Sequence, residues 1–197
     1  MKAPLRKELR ALRRSLDAAE HARRSRLAAS CIARLPAFKS GSRVALYLPI
    51  DAEADPASLL RAARRRRVRI FVPVVSDLRS RRLLFYPLTE RTRRGAFGIS
   101  VPHSVSRGDA VGPRWFDLMV VPLVGADRDG RRLGMGGGFY DRALAFRRQR
   151  RFWGGPKLVG LGFRFQRVES VCAEPFDVQL DALATESGTE HFSRSVR

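Results

Sequence analysis

The sequence predicts an α/β protein, a three-layer α/β/α sandwich around a mostly parallel central sheet. Three observations carry that expectation. Apolar runs of strand length recur along the chain, Leu118-Met-Val-Val-Pro-Leu-Val124 being the plainest. Segments of helical period separate several of them. Strands that are apolar at nearly every position belong to sheets covered on both faces. At 197 residues the chain has the length of one domain. That domain is expected to span 1–187, with a flexible tail over 188–197.

The elements follow in order. Residues 3–34 read as helical, because Leu5, Leu9, Leu12 and Leu16, then Leu27, Cys31, Ile32 and Leu35, recur at three- and four-residue steps. Asp17 is suited to cap a second segment, with Glu20 completing a capping box. Pro36 closes the run. Arg43 to Ile50 reads as a buried strand. Asp55-Pro56 opens a helix that runs to about Arg66. Val68 to Val75, interrupted by Pro73, is a second strand, and Leu83 to Leu88 a third, alternating one. Leu118 to Val124 is the fourth. A helix is expected from about Gly138 to Arg148, a fifth strand from Lys157 to Phe163, and a sixth from Ala182 to Thr185. The polar stretch 186–197 reads as a frayed end.

Composition narrows the function classes. No apolar run reaches the roughly 18 residues of a membrane span, and the charged start is unlike a secretory signal. Cys31 and Cys172 form neither a CxxC pair nor a zinc spacing, so a reducing cytoplasm is the expected compartment. Net charge is +20. It is uneven: residues 1–100 hold 24 basic and 8 acidic side chains. Such a basic half fits nucleic-acid binding. It fits equally a solvated surface with a general attraction for anionic small molecules. Arg outnumbers Lys 35 to 4, a bias that a GC-rich coding sequence gives without function. With no zinc finger and no RNA-binding aromatic signature, nucleic acid is not the expected partner. His21, His103 and His191 match no ligand spacing.

In mostly parallel sheets, ligands bind at the carboxyl ends of the strands. One segment there is rich in chemistry: Arg132-Leu-Gly-Met-Gly-Gly-Gly-Phe-Tyr-Asp-Arg142, between a buried strand and a helix. Gly134, Gly136, Gly137 and Gly138 can bare backbone N–H groups to phosphate. The segment lacks the lysine of a Walker A loop. Glycines alone fit a tight turn equally well. Arg132 before them, able to fork onto phosphate, and Asp141 after them, able to hold magnesium, favour an anion site.

Arg132 to Arg142 resembles the signature of the 5-formyltetrahydrofolate cyclo-ligase family in its bacterial form. Lys2-x-x-Leu5-Arg6 is similar to that family's N-terminal nucleotide-contacting helix. Tyr47-Leu-Pro-Ile-Asp-Ala-Glu53-Ala-Asp55 is similar to its folate-binding turn. Val159 to Gln166, Pro175, Asp181 and Thr185-Glu186 are similar to its C-terminal portion. The resemblance implies ATP-dependent cyclisation of 5-formyltetrahydrofolate to 5,10-methenyltetrahydrofolate, with ADP and phosphate released. The formyl oxygen is phosphorylated and N10 then attacks the activated carbon.

By position, the resemblance implies that Lys2, Arg6, Arg132, Gly134, Gly136, Gly137, Gly138, Phe139 and Tyr140 bind ATP. Ile50, Glu53 and Tyr140 meet the folate, Glu53 accepting the pterin's paired N–H donors. Arg132, Tyr140 and Asp141 carry the catalysis, and Asp141 with Asp181 holds Mg2+. Phe139 and Tyr140 fit a stack on the pterin or a place in the core. Glu53 also fits an ordinary loop acid, Asp141 a helix-start ion pair and Asp181 a surface carboxylate. Family members frequently have Glu where Val101 stands, and Arg147 to Gly155 reads as a variable loop. The enzyme is expected to act as a monomer on a small-molecule folate, and polyglutamate-tailed forms would gain most from its basic surface. Two rivals remain: a sugar-phosphate isomerase-like α/β enzyme, and a basic RNA-binding module without catalysis.

Overall fold

The computed structural model describes residues 2–89, 92–94, 100–102, 106–148, 155–172, 174 and 177–193. His103, Pro175, residues 149–154 of the proposed variable loop and the last four residues lie outside them, as does the side chain of Val101.

The first helical stretch divides in two, α1 (Lys2–Arg14) and α2 (Ala18–Ala33). The break comes at Asp17, whose carboxylate accepts the Glu20 N–H at 2.8 Å. Only half of the predicted capping box forms, because the Glu20 side chain turns outward to Arg23 and Arg24. Strand β1 (Arg43–Ala45) is shorter than expected. One further bond, Leu46 N–H to Phe71 O, continues the ladder. Pro49, which has no N–H to give, and the left-handed pair Asp51 and Ala52 (φ 52° and 56°) then turn the chain away. Helix α3 (Ala57–Arg66) begins one residue later than Asp55-Pro56 suggests: Pro56 stands at the cap, and Asp55 Oδ1 accepts the Ala57 N–H at 2.8 Å.

Strands β2 (Arg69–Asp77) and β3 (Arg82–Pro87) form an antiparallel hairpin. Pro73 is tolerated because β1 pairs with β2 only as far as Phe71. A ribbon of β4 (Thr92–Arg94) and β5 (Ser100–Pro102) follows. Next come β6 (Leu118–Pro122) and the small hairpin β7 (Gly125–Ala126) and β8 (Arg132–Leu133). The helix expected over 138–148 is α4 (Phe139–Ala143) and then a 3-10 turn, Ala145–Arg148. Strands β9 (Lys157–Leu161), β10 (Ala182–Thr185) and β11 (Gly188–His191) complete the chain.

The main sheet has seven strands in the order β11-β10-β9-β6-β1-β2-β3. The five central strands are parallel, and β11 and β3 are antiparallel edges. β11 corrects the tail expectation over 188–191. A four-residue polar edge strand leaves no apolar run to read.

Alternate residues serve opposite faces. Val44, Leu118, Val120, Val159, Leu161, Ala182 and Ala184 pack with Ala28, Ala29, Ile32, Leu59 and Ala63 of α2 and α3. Ala45, Met119, Val121, Leu158 and Leu183 pack on the other face with Phe85, Phe116, Leu144, Val178 and Leu180. The second layer is thinner, built from α4, its 3-10 turn and irregular chain. Among the described residues no helix is long and apolar enough to cross a membrane.

Candidate active site

Three loops leave the carboxyl ends of the sheet on the same side. One follows β1, one is the tip of the β2–β3 hairpin, and one follows β6. The third carries the glycine segment. Asp127, 1% exposed, ties its base by accepting the N–H groups of Asp129 and Arg131, each at 3.0 Å. The segment itself lies at the surface, with Met135, Gly136 and Gly137 exposed. Gly136 and Gly138 have φ of 100° and 67°, which only glycine adopts freely. Among the described residues none accepts a hydrogen bond from the Gly136, Gly137 or Gly138 amide. Bare donors therefore line an exposed turn.

Arg132, 8% exposed, is more committed than expected. Its Nη1 donates to Pro122 O at 3.1 Å, and its Nη2 donates to both Asp141 oxygens at 3.0 and 3.1 Å. Its guanidinium lies 5.6 Å from the Tyr140 ring centroid. A side chain at Gly134 would strike it, a Cβ there lying 3.0 Å from Nη1. Arg132 therefore fixes Asp141 and Tyr140 rather than projecting into solvent. Phe139 leans over Gly137 and packs with Tyr140 against the second core cluster, the core alternative for both rings. Burial pushes the Tyr140 hydroxyl well above its usual pKa. Arg132 opposes that shift and the charge of Glu53 adds to it.

Helix α1 lays a cationic stripe across this end of the molecule. Arg6 Nε donates to Gly134 O at 2.8 Å. Lys2 Nζ donates to Asp177 at 2.9 Å, with Glu174 at 3.5 Å. The next residue, Val178, gives its N–H to Asp141 at 3.4 Å. Lys2, Arg6, Arg132, Asp141 and the glycines thus form one connected group. Farther along the same face, Arg10 and Arg13 reach Asp51 at 2.7 and 2.8 Å, and Arg14 pairs with it too. Partial burial alone would raise the Asp51 carboxyl. The guanidiniums of Arg10, Arg14 and Arg13 outweigh it and hold the group below its ordinary range.

Asp51 begins the turn that presents Glu53. Ile50 O accepts the Glu53 N–H at 2.9 Å, and Glu53 Oε2 accepts the Ile50 N–H at 3.2 Å. The Tyr47 hydroxyl donates to Ala54 O. His21 on α2 places Nε2 3.1 Å from both Ala52 O and Glu53 O. Glu53 is 4% exposed. Its burial raises the carboxyl pKa, against the lowering pull of the Ile50 N–H, Arg13 and Arg132. Among the described residues no donor meets Oε1. The charge of Arg132 favours the ionised Glu53 carboxylate, and the charge of Glu53 reaches Tyr140.

Sequence reasoning missed Asp51, Arg10, Arg13 and His21. The four- and three-residue steps from Lys2 through Arg6 and Arg10 to Arg13 and Arg14 were the available signal for the arginines. Nothing in the sequence pointed to His21.

The structure does not bring Asp181 to Asp141. Asp181 precedes β10, accepts the Leu158 N–H at 2.7 Å, and pairs with Arg147 Nη2 at 2.8 and 3.0 Å. Leu158 belongs to the amino end of β9, opposite the carboxyl end where Arg132 grips Pro122. About three residues of strand, roughly 10 Å, separate the two levels. Among the described residues no group of three or more His, Cys, Asp or Glu could cage a metal ion. A carboxylate such as Asp141 would suit a magnesium ion that arrives on a nucleotide's phosphates and keeps its waters.

The fold is that of an α/β protein with its candidate site at the carboxyl ends of a parallel sheet. Comparison with known proteins names the kind. Residues 1–186 match the 5-formyltetrahydrofolate cyclo-ligase family. The chain is 31% identical to the 5-formyltetrahydrofolate cyclo-ligase of Escherichia coli strain K12 over 184 residues, 91% of this chain and 97% of that one. It is similar to the solved structure of Aquifex aeolicus 5,10-methenyltetrahydrofolate synthetase, with a TM-score of 0.80, 30% identity, and coverage of 100% and 96%. The Mycoplasma pneumoniae 5,10-methenyltetrahydrofolate synthetase superposes with a TM-score of 0.71 at 25% identity, covering 94% and 98%. The chain belongs to the 5-formyltetrahydrofolate cyclo-ligase family and is a ligase. These matches support neither the sugar-phosphate isomerase reading nor the RNA-binding one.

Proposed function

We propose that this ligase closes 5-formyltetrahydrofolate to 5,10-methenyltetrahydrofolate with ATP, as a monomer, in the space between Glu53 and the glycine segment. The observation that carries the reading is the bare run of amides at Gly136 to Gly138, beside Arg6. All these groups come from one chain.

The chemistry matches the parts. The formyl oxygen on N5 is a poor leaving group. It attacks the γ-phosphorus, the bond to ADP breaks, and an iminium phosphate results. N10 attacks the activated carbon, and the C–O bond breaks to release phosphate. Phosphoryl transfer asks mainly for positioning and for charge stabilisation. The Gly134, Gly136, Gly137 and Gly138 backbone and Arg6 would supply the charge stabilisation, with Lys2 holding the adjoining 174–178 segment. Magnesium, held by Asp141 and the phosphates, would neutralise developing charge there. Arg132 acts through Asp141 and Tyr140 as a positioning residue. Asp181 has no place in this metal site.

Glu53 Oε1, without a donor of its own, suits the pterin's N–H groups. Ile50 lies beside it in the same turn. The basic surface favours both anionic substrates, and a polyglutamate tail on the folate most of all. The test is absorbance of the methenyl product in a mixture of the protein, ATP, Mg2+ and 5-formyltetrahydrofolate. The reading expects product only when all four are present. Product formed without ATP, or none in the complete mixture, contradicts it.

A further inference from the structure

We infer that Arg81, at the tip of the β2–β3 hairpin, is a second cationic contact for the nucleotide's phosphates, beside the glycine segment that Arg6 also approaches. The inference rests on the reading of that segment as the phosphate seat.

Two guanidiniums approach the segment. A Cβ at Gly136 would lie 3.9 Å from Arg6 Cζ, and a Cβ at Gly138 would lie 3.3 Å from Arg81 Nη1. Arg6 comes from α1 and Arg81 from the far edge of the sheet, so the chain brings them together only through the fold. The other cations here are already matched. Lys2 faces Asp177 and Glu174, and Arg132 faces Asp141. Among the described residues Arg81 has no hydrogen-bonding or ionic partner. Its side chain is exposed beside unoccupied amide donors.

The tip that carries Arg81 is a fixed turn. Asp77 Oδ1 accepts the N–H groups of Arg79 and Ser80 at 2.8 and 3.3 Å, and Oδ2 accepts the Ser80 hydroxyl at 2.8 Å. Arg81 itself has φ of 54°, uncommon outside glycine. From such a turn the Arg81 guanidinium offers paired N–H donors that match phosphate oxygens.

The experiment titrates the full chain with MgATP in the absence of folate, then measures both KM values, for the wild type, Arg81→Gln, Arg81→Lys, Arg79→Gln and Arg6→Gln. Arg81→Gln should weaken ATP binding roughly tenfold, as loss of a charged hydrogen bond does. It should raise the KM for ATP similarly and leave the KM for 5-formyltetrahydrofolate within about twofold of wild type. Arg81→Lys should recover part of the loss, and Arg79→Gln should match wild type. Unchanged ATP binding in Arg81→Gln, with Arg6→Gln impaired, overturns the role of Arg81 alone. Unchanged binding in both variants overturns the phosphate seat as well. A rise confined to the folate KM would assign Arg81 to the folate's carboxylates and refute the inference.

Discussion

At the scale of single residues, the two carboxylates of the site differ in what surrounds them. Asp141 is ion-paired with a nearly buried arginine. Asp141→Asn should therefore cost stability, about 1–3 kcal/mol, and should lower turnover roughly 100-fold or more. Denaturant titration and the methenyl assay read the two effects separately. Glu53 is the reverse case. Its folded pKa is raised, so the ionised form is held against its preference. A raised carboxyl pKa means that the charge works against folding above that pKa and ceases to do so as pH falls through it. Glu53→Gln should accordingly melt no lower than wild type at pH 7. It should still raise the folate KM or cut turnover by roughly tenfold or more, since an amide cannot accept the same donor pair. A variant both unstable and active would contradict the assignment.

At the scale of elements, α1 joins the two halves of the site. Lys2 and Arg6 serve the glycine side, while Arg10, Arg13 and Arg14 hold Asp51 and with it the Glu53 turn. Arg13 is 1% exposed, and its remaining contact is Leu123 O. Asp51→Asn, which keeps a residue tolerant of positive φ, should leave that buried cation unpaired and cost about 3 kcal/mol. The pH dependence has a definite sign. Because the folded pKa of Asp51 is lowered, its contribution is present above the unfolded value near 4 and is lost as pH falls through the folded pKa. The stability gap between wild type and Asp51→Asn should therefore close below pH 4. Urea melts across pH 2.5–7 check this.

Legibility from the sequence also divides by element. The buried strands, the Asp17 break and the α3 helix follow from local pattern and capping, and they lie where the sequence places them, although β1 stops five residues early and α3 starts one residue late. β11 escaped because its pairing with β10, Ala184 opposite Thr189 for instance, is a tertiary fact without an apolar signature. The α4 helix is shorter than its periodicity suggests, because Leu144 leaves helical geometry and a 3-10 turn packs in its place. In the site, the residue types were readable but their partners were not. Arg132 read as a phosphate fork and is spent on Asp141. Asp181 read as a metal ligand and lies at the other end of the strands. The Arg81 approach to Gly138 spans separate loops, which no spacing rule reaches.

At the scale of the molecule, the sheet seam is close-packed where β9 crosses beneath the site. A Cβ at Gly160 would come within 2.5 Å of Leu123 and 2.9 Å of Leu180. Gly160→Val should destabilise by about 1–3 kcal/mol through overpacking, seen as a lower melting temperature. The net charge of +20 attracts anions, so folate affinity should rise with the number of glutamates in the tail at low salt. The gain should shrink as ionic strength grows. Affinities that do not change with tail length would contradict that. In the proposed function, the Gly136 to Gly138 amides receive phosphate while the Glu53 turn receives folate. The most direct measurement is a backbone-amide NMR titration of the labelled protein, first with MgATP and then with 5-formyltetrahydrofolate. The account predicts that MgATP shifts the Gly136, Gly137 and Gly138 amides first, and that the folate shifts Ile50 and Glu53. MgATP shifts confined to residues outside the glycine segment would contradict it.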